Sequence, residues 1–188
     1  MNMRVSIALL ALFMVLPFTN TWADDYQETI GVFKNAGASG TFFGSAYGYA
    51  VFPTIGKAGI GVGGAHGKGR VYAGGKHVGD SSMTQLTVGF QLGGQAFSQI
   101  IFFQDKRAFD EFTGGNFEFS AAANAVAITA GASASASTAG SSAGASGGKH
   151  DATTVGGYNK GMATFTVAKG GLMYEASIGG QKFSYTPK

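Results

Sequence analysis

The sequence predicts a mainly β, α+β domain: a compact antiparallel β-rich body with an N-terminal helix and one short internal helix. Three observations carry this. Glycine occurs 32 times in 188 residues and only 12% of residues are charged. That composition argues against a helical bundle, since glycine costs about 1 kcal/mol at each helix position. Second, alternating bulky and small or polar residues recur between glycine pairs, the pattern of half-buried strands joined by tight turns. Third, helical spacing of apolar residues is confined to two short stretches. The length fits one domain, with a core able to bury roughly 70% of the unfolded surface.

Residues 1–23 read as a secretory signal peptide. Arg4 supplies the charged start, Val5 to Leu16 the apolar run, and Thr21-Trp22-Ala23 places small residues, Thr21 and Ala23, at two positions before a cut. The apolar run is short for a membrane span. A leader on a chain without cysteine is expected to deliver residues 24–188 to a periplasm or beyond, as one domain.

Asp24 to Ala36 is the expected N-terminal helix, with Tyr26, Ile30 and Phe33 on one face. Asp24, Asp25 and Glu28 suit its positive end and Lys34 its negative end. Gly37 to Ser45 follows as a loop, and its aromatic pair, Phe42 and Phe43, is a candidate membrane contact. Tyr49-Ala50-Val51-Phe52 is a strand that Pro53 should stop, because proline lacks the ladder N–H. In Lys57 to Gly63, Ile60 and Val62 share one face while Gly59, Gly61 and Gly63 leave the other bare. His66-Gly67-Lys68-Gly69-Arg70 reads as a basic turn before a strand at Val71-Tyr72.

Gly74-Gly75 marks a hairpin turn. Leu86, Val88, Phe90 and Leu92 then alternate with Gln85, Thr87, Gly89 and Gln91, which predicts a strand buried on its leucine face. Gly93-Gly94 turns the chain into Ile100-Ile101-Phe102-Phe103, a run suited to burial on both faces. Asp105 to Phe112 is the internal helix, capped by Asp105. Phe117 and Phe119 alternate, but the parity switches at Val126 and Ile128, so a bulge is expected near Asn124. Residues 131–148 are nearly all Ala, Ser and Gly, too poor in apolar area to pack, and are expected to be flexible. Thr153 to Val167 and Leu172 to Tyr185 close the domain as two strands, with a turn at Lys169-Gly170-Gly171.

Motifs for chemistry fail on context. Gly59, Gly61 and Gly64 match the dinucleotide spacing, yet no helix follows. Lys68 precedes Gly69 rather than Ser or Thr, so the phosphate-loop pattern fails. Gly144-Ala145-Ser146-Gly147-Gly148 lacks the strand and helix of a nucleophile elbow. His66, His77 and His150 lie beside glycine or lysine without ligand spacing. No catalytic residue, metal or cofactor is expected. What remains is basic: Lys57, Lys68, Arg70, Lys76 and His77, in a chain of net charge +3. That balance suits an anionic lipid surface and is too weak for nucleic acid.

Phe52-Pro53, Lys57-Ala58-Gly59, Gly61, Gly63-Gly64, Gly67 and Gly69 fit the pattern F-P-x-x-x-K-A-G-x-G-x-G-G-x-x-G-x-G. With Val88 to Gln95 and, more weakly, Tyr158 to Gly161 and Gly170-Gly171-Leu172, they make the chain resemble the SYLF domain family. The resemblance extends from about Ile30 to the C-terminus. It implies a non-catalytic domain that binds phospholipid, of the phosphoinositide type in the wider family. In a bacterial envelope the expected ligand is an anionic glycerophospholipid, with Lys57, Lys68, Arg70, Lys76 and His77 as contacts. The resemblance also implies that in eukaryotic relatives an amphipathic N-terminal helix helps engage membranes. Here the polar face of that helix is acidic, so it is expected to pack on the domain. Two other readings stay open: a small outer-membrane β-barrel of about eight spans, and an envelope protein-interaction or structural module.

Overall fold

The computed structural model describes residues 21–89, 95–120, 123, 125–128, 157–169 and 178–188. Helix α1 spans Thr21–Asn35, a single turn α2 spans Gly37–Gly40, and a 3-10 turn spans Thr41–Gly44. Seven strands follow: β1 Gly48–Ala73, β2 Lys76–Gly89, β3 Gln95–Phe103, β4 Phe117–Glu118, β5 Val126–Ile128, β6 Met162–Lys169 and β7 Gln181–Pro187. Helix α3, Lys106–Thr113, lies between β3 and β4. The strands form one sheet in the order β4-β7-β2-β1-β3-β6-β5, antiparallel except for β5 beside β6.

β1 organises the molecule. Its first part, Gly48 to Lys57, pairs with β3, and its last part, Gly61 to Ala73, pairs with β2. The strand reverses between them near Gly59, whose φ of +157° favours glycine. The sheet therefore curls until its two ends face each other. Gly69 shows how tightly. A Cβ there would stand 2.5 Å from two ring carbons of Phe52, a wholly buried residue. The close approach of a ring falls at Gly69, in the stretch expected to be a turn; of the face expected bare at Gly59, Gly61 and Gly63, Gly59 has the Gly63 backbone against it.

Pro53 does not end the strand. The ladder shifts register between Phe52 and Ile55, where a residue without N–H is tolerated, and the Pro53 carbonyl accepts a 2.7 Å bond from Ser98 Oγ. The expected basic turn at 66–70 is likewise strand, and the reversal comes at Gly74-Gly75 (φ +55° and +76°). Residues 37–45 are two short helical turns rather than a loop.

Two apolar clusters result. The inner one joins Phe52, Ile55, Met83, Ile101, Phe103 and Phe183 inside the curl, sealed by Ala108 and Phe112 of α3. The outer one places Tyr26, Ile30 and Phe33 of α1 with Val51, Ile100, Phe102 and Phe165. β3 and β6 consequently have both faces covered, as the run Ile100 to Phe103 predicts; those four side chains are fully buried. Asp105 caps α3 by accepting a 2.9 Å bond from the Ala108 amide. Lys106–Asp110 and Arg107–Glu111 pair along its exposed side.

Three expectations are corrected. β4 and β5 lie at opposite edges of the sheet, so the parity switch marks a change of location rather than a bulge; Asn124 itself is outside the described residues. β6 begins at Met162, after a turn at Lys160-Gly161, rather than at Thr153, and β6 and β7 pair with β3 and β2; the turn expected at 170–171 and the strand expected at 172–177 fall outside the described residues, as does 131–148. Finally, Met83 and Gln85 face inward on β2, and Leu86 faces out. Gln85 points inward because the interior holds a polar partner set. Gln99 and Gln181, both fully buried, exchange side-chain hydrogen bonds of 2.8 and 3.1 Å across the curl, and Gln85 Nε2 donates to the Gly179 carbonyl at 2.9 Å.

The outward face of β3 and β6 lies under α1, whereas a transmembrane barrel turns that face to lipid. None of the described helices is long and apolar enough to cross a membrane.

Candidate functional site

The outward face of β1 and β2 carries the exposed chemistry. Residues two apart on a strand share a face, so Val62, His66, Lys68, Arg70 and Tyr72 form one row. Across the ladder stand Leu86 opposite Gly64, Thr84 opposite His66, Ser82 opposite Lys68 and Asp80 opposite Arg70. Val62 and Leu86 are 62% and 76% exposed, large for apolar side chains in a body with this much buried area. Lys68 and His66 are exposed on the same face.

The five cations proposed from sequence do not form a single rim. Arg70 is half-buried and lays its guanidinium 4.2 Å from the centre of the Tyr26 ring, an attraction between cation and ring face that fastens α1. Tyr26 in turn titrates above its usual range because burial outweighs the lowering effect of Arg70. His77 closes the hairpin: its Nε2 lies 3.1 Å from the Gly79 carbonyl and 3.0 Å from Asp80 Oδ1. Lys76 is exposed at the same turn, about 17 Å along the ladder from Lys68 at ~3.3 Å per residue. Lys57 is half-exposed at the other end of β1, where that strand pairs with Gln95. Lys68 is exposed on the same face as Val62 and Leu86, about 13 Å along the ladder from Leu86 and about 20 Å from Val62 at ~3.3 Å per residue.

Phe42 is buried, stacked on Phe102 and edge-on to Phe165 and Tyr158. Phe43 is half-buried against Tyr49 and Phe102, with Lys34 Nζ 5.4 Å from its ring centre. The pair packs the helical turns onto the sheet. Val62 and Leu86 are exposed apolar side chains, as are Val32 and Tyr47, that sequence reasoning did not place in the candidate site. Counting parity from Lys68 back to Val62 places that residue on the cationic face; Leu86 was hidden because its strand was expected to bury leucine.

Behind this face Tyr49 and Tyr72 stack with ring centres 5.1 Å apart. Burial, reinforced by Tyr72, pushes the Tyr49 phenol from 10.0 up to about 12. The unfolded chain would ionise near 10.0, so this phenol favours the folded state at lower pH and loses that contribution as pH rises from about 10 to 12. Thermal unfolding followed against pH should show the melting temperature falling across that window, with a smaller fall in Tyr49→Phe.

Among the described residues no group of three or more His, Cys, Asp or Glu side chains is placed to hold a metal ion. No curated protein matches the chain. A family model does: the one described as Ysc84, Las17-binding protein actin regulator, matches residues 84–186. That range takes in β2 from Thr84, both glutamines bonded across the interior, α3 and the closing strands. It covers more than half of the chain, together with the second and third sequence motifs, and the chain therefore belongs to this family of binding proteins, the SYLF domain family.

Proposed function

We propose that this chain is a non-catalytic module of the bacterial cell envelope, delivered by its leader, that attaches to anionic phospholipid bilayers. The single observation that carries the reading is the outward face shared by β1 and β2, which presents the Lys68 ammonium and the unburied side chains of Val62 and, across the ladder, Leu86. Charge attracts such a face to anionic headgroups, at about 1 kcal/mol per cation near the surface, and exposed apolar side chains gain by leaving water. Lys76 adds a second exposed cation at the hairpin turn.

Co-sedimentation with vesicles tests this. Attachment should rise with anionic lipid content and fall with salt. Lys68→Glu with Lys76→Glu should weaken it by more than about tenfold, since each reversal removes an attraction and adds a repulsion. Both side chains are exposed, so the melting temperature should stay put. A folded double variant that sediments like the parent would end the electrostatic reading. Arg70 is left alone because it holds Tyr26.

A second reading has one observation in its favour: the matching family model is described by a protein partner, Las17. A stoichiometric protein complex that forms without lipid and survives the Lys68 and Lys76 reversals would favour an envelope interaction module.

A further inference from the structure

A cleft of about 300 Å³ opens between the first turns of α1 and the place where the two parts of β1 meet, lined by Asp25, Tyr26, Pro53, Thr54, His66 and Lys68 among others. Its volume is at the lower end for small-molecule sites. Its charge pattern is unusual for a chain with only 10 acids. Lys68 and His66, two residues apart on one strand, face it from the sheet, and Asp25 faces it from the helix. All three are exposed, and none makes a side-chain hydrogen bond or ion pair with a described residue. Thr54 at the lip already accepts a 2.8 Å bond from Lys169 Nζ, which leaves its hydroxyl hydrogen free to donate and adds a further cation beside the cleft. Arg70 backs the opposite wall, behind the Tyr26 ring.

We infer that this cleft takes a phosphodiester headgroup ending in a primary ammonium, the phosphate held by Lys68, His66 and Thr54 and the ammonium by Asp25. A phosphate alone would meet repulsion from Asp25, and an amine alone would meet the cations. A group carrying both charges a short arm apart satisfies both sides. A primary ammonium has N–H donors to offer a carboxylate, whereas a quaternary one has none. The selection is therefore between ethanolamine-type and choline-type headgroups, which have the same net charge. The inference deepens the membrane reading, since Lys68 serves both, and it adds Asp25, Thr54 and His66.

The test holds phosphatidylglycerol at a fixed fraction of the vesicle and fills the remainder with phosphatidylethanolamine or phosphatidylcholine. The native chain should attach about threefold more tightly with ethanolamine, the scale of one partly exposed ion pair. Asp25→Asn should abolish that preference and keep the dependence on phosphatidylglycerol. A preference that persists in Asp25→Asn belongs to the bilayer and overturns the inference, as does attachment that is indifferent to the filler lipid; in both cases the anionic-membrane reading stands. In a second arm, soluble glycerophosphoethanolamine should shift the Tyr26 and Gly67 amide signals by NMR, and glycerophosphocholine should not. Shifts without vesicle attachment would retain the cleft for a free headgroup and sink the membrane reading. Neither shifts nor attachment would sink both.

Discussion

Phe33→Ala should destabilise the domain by about 3–5 kcal/mol, the range for truncating a buried phenylalanine. The ring is fully buried and belongs to the outer cluster with Tyr26, Ile30, Val51, Ile100 and Phe102. Its own backbone carbonyl accepts a 2.6 Å bond from the buried Ser39 hydroxyl, so the ring sits where α1 turns into α2. Removing it leaves a void under the last turn of α1, and the helical turns that follow cannot collapse into it without moving Phe42 off Phe102. Chemical denaturation should show a lower midpoint with an unchanged slope. The outcome also separates two uses of the helix. The family resemblance implies that in eukaryotic relatives an N-terminal helix helps engage membranes. A helix held out for lipid would lose vesicle attachment on this substitution and keep its stability. Here the three apolar residues at helical spacing are all spent on the sheet, and the loss should be in stability.

Gln181→Ala should cost about 3 kcal/mol or more. The side chain is fully buried, donates to Gln99 and accepts from it, and lies in a region shielded from water. Truncation removes packing and also strands the Gln99 amide, whose desolvation without a partner costs about 1–3 kcal/mol. Gln99→Ala should have an effect of similar size, and the double variant should fall well short of the sum, because each single change already removes the shared bonds. Replacing both by Leu should recover much of the loss, since neither amide is then left without the other and Gln85 keeps its bond to the Gly179 carbonyl. A strictly additive double-alanine variant would show that the two amides do not depend on each other.

Sequence reading reached different depths at different residues. α1 and α3 were legible because Tyr26, Ile30 and Phe33, and Ala108 with Phe112, follow the helical period and carry end signals such as Asp105. Ile100 to Phe103 announced double burial because nothing polar interrupts it. Gly67 and Gly69 misled, reading as turn residues when their role is to admit Ile55 and Phe52 from the other end of the strand. A local pattern cannot tell missing side chains that free the backbone from missing side chains that make room. Gln85 and Leu86 misled for a related reason. Alternation identifies two faces, and hydropathy chooses the inner one, but the Gly179 carbonyl and the Gln181 amide supply interior partners for Gln85 from 94 and 96 residues away. The candidate site followed suit: its cations were visible as residues, whereas the company they keep depends on how β1 folds over itself.

Because β1 is paired on its early part to β3 and on its late part to β2, the body has no seam along which it could separate. Whatever loosens the layer beneath α1 also withdraws the backbone on which the other layer is built. Such a molecule is expected to open as one cooperative unit, and a contact made at Lys68 is therefore felt by the whole domain rather than by a local flap.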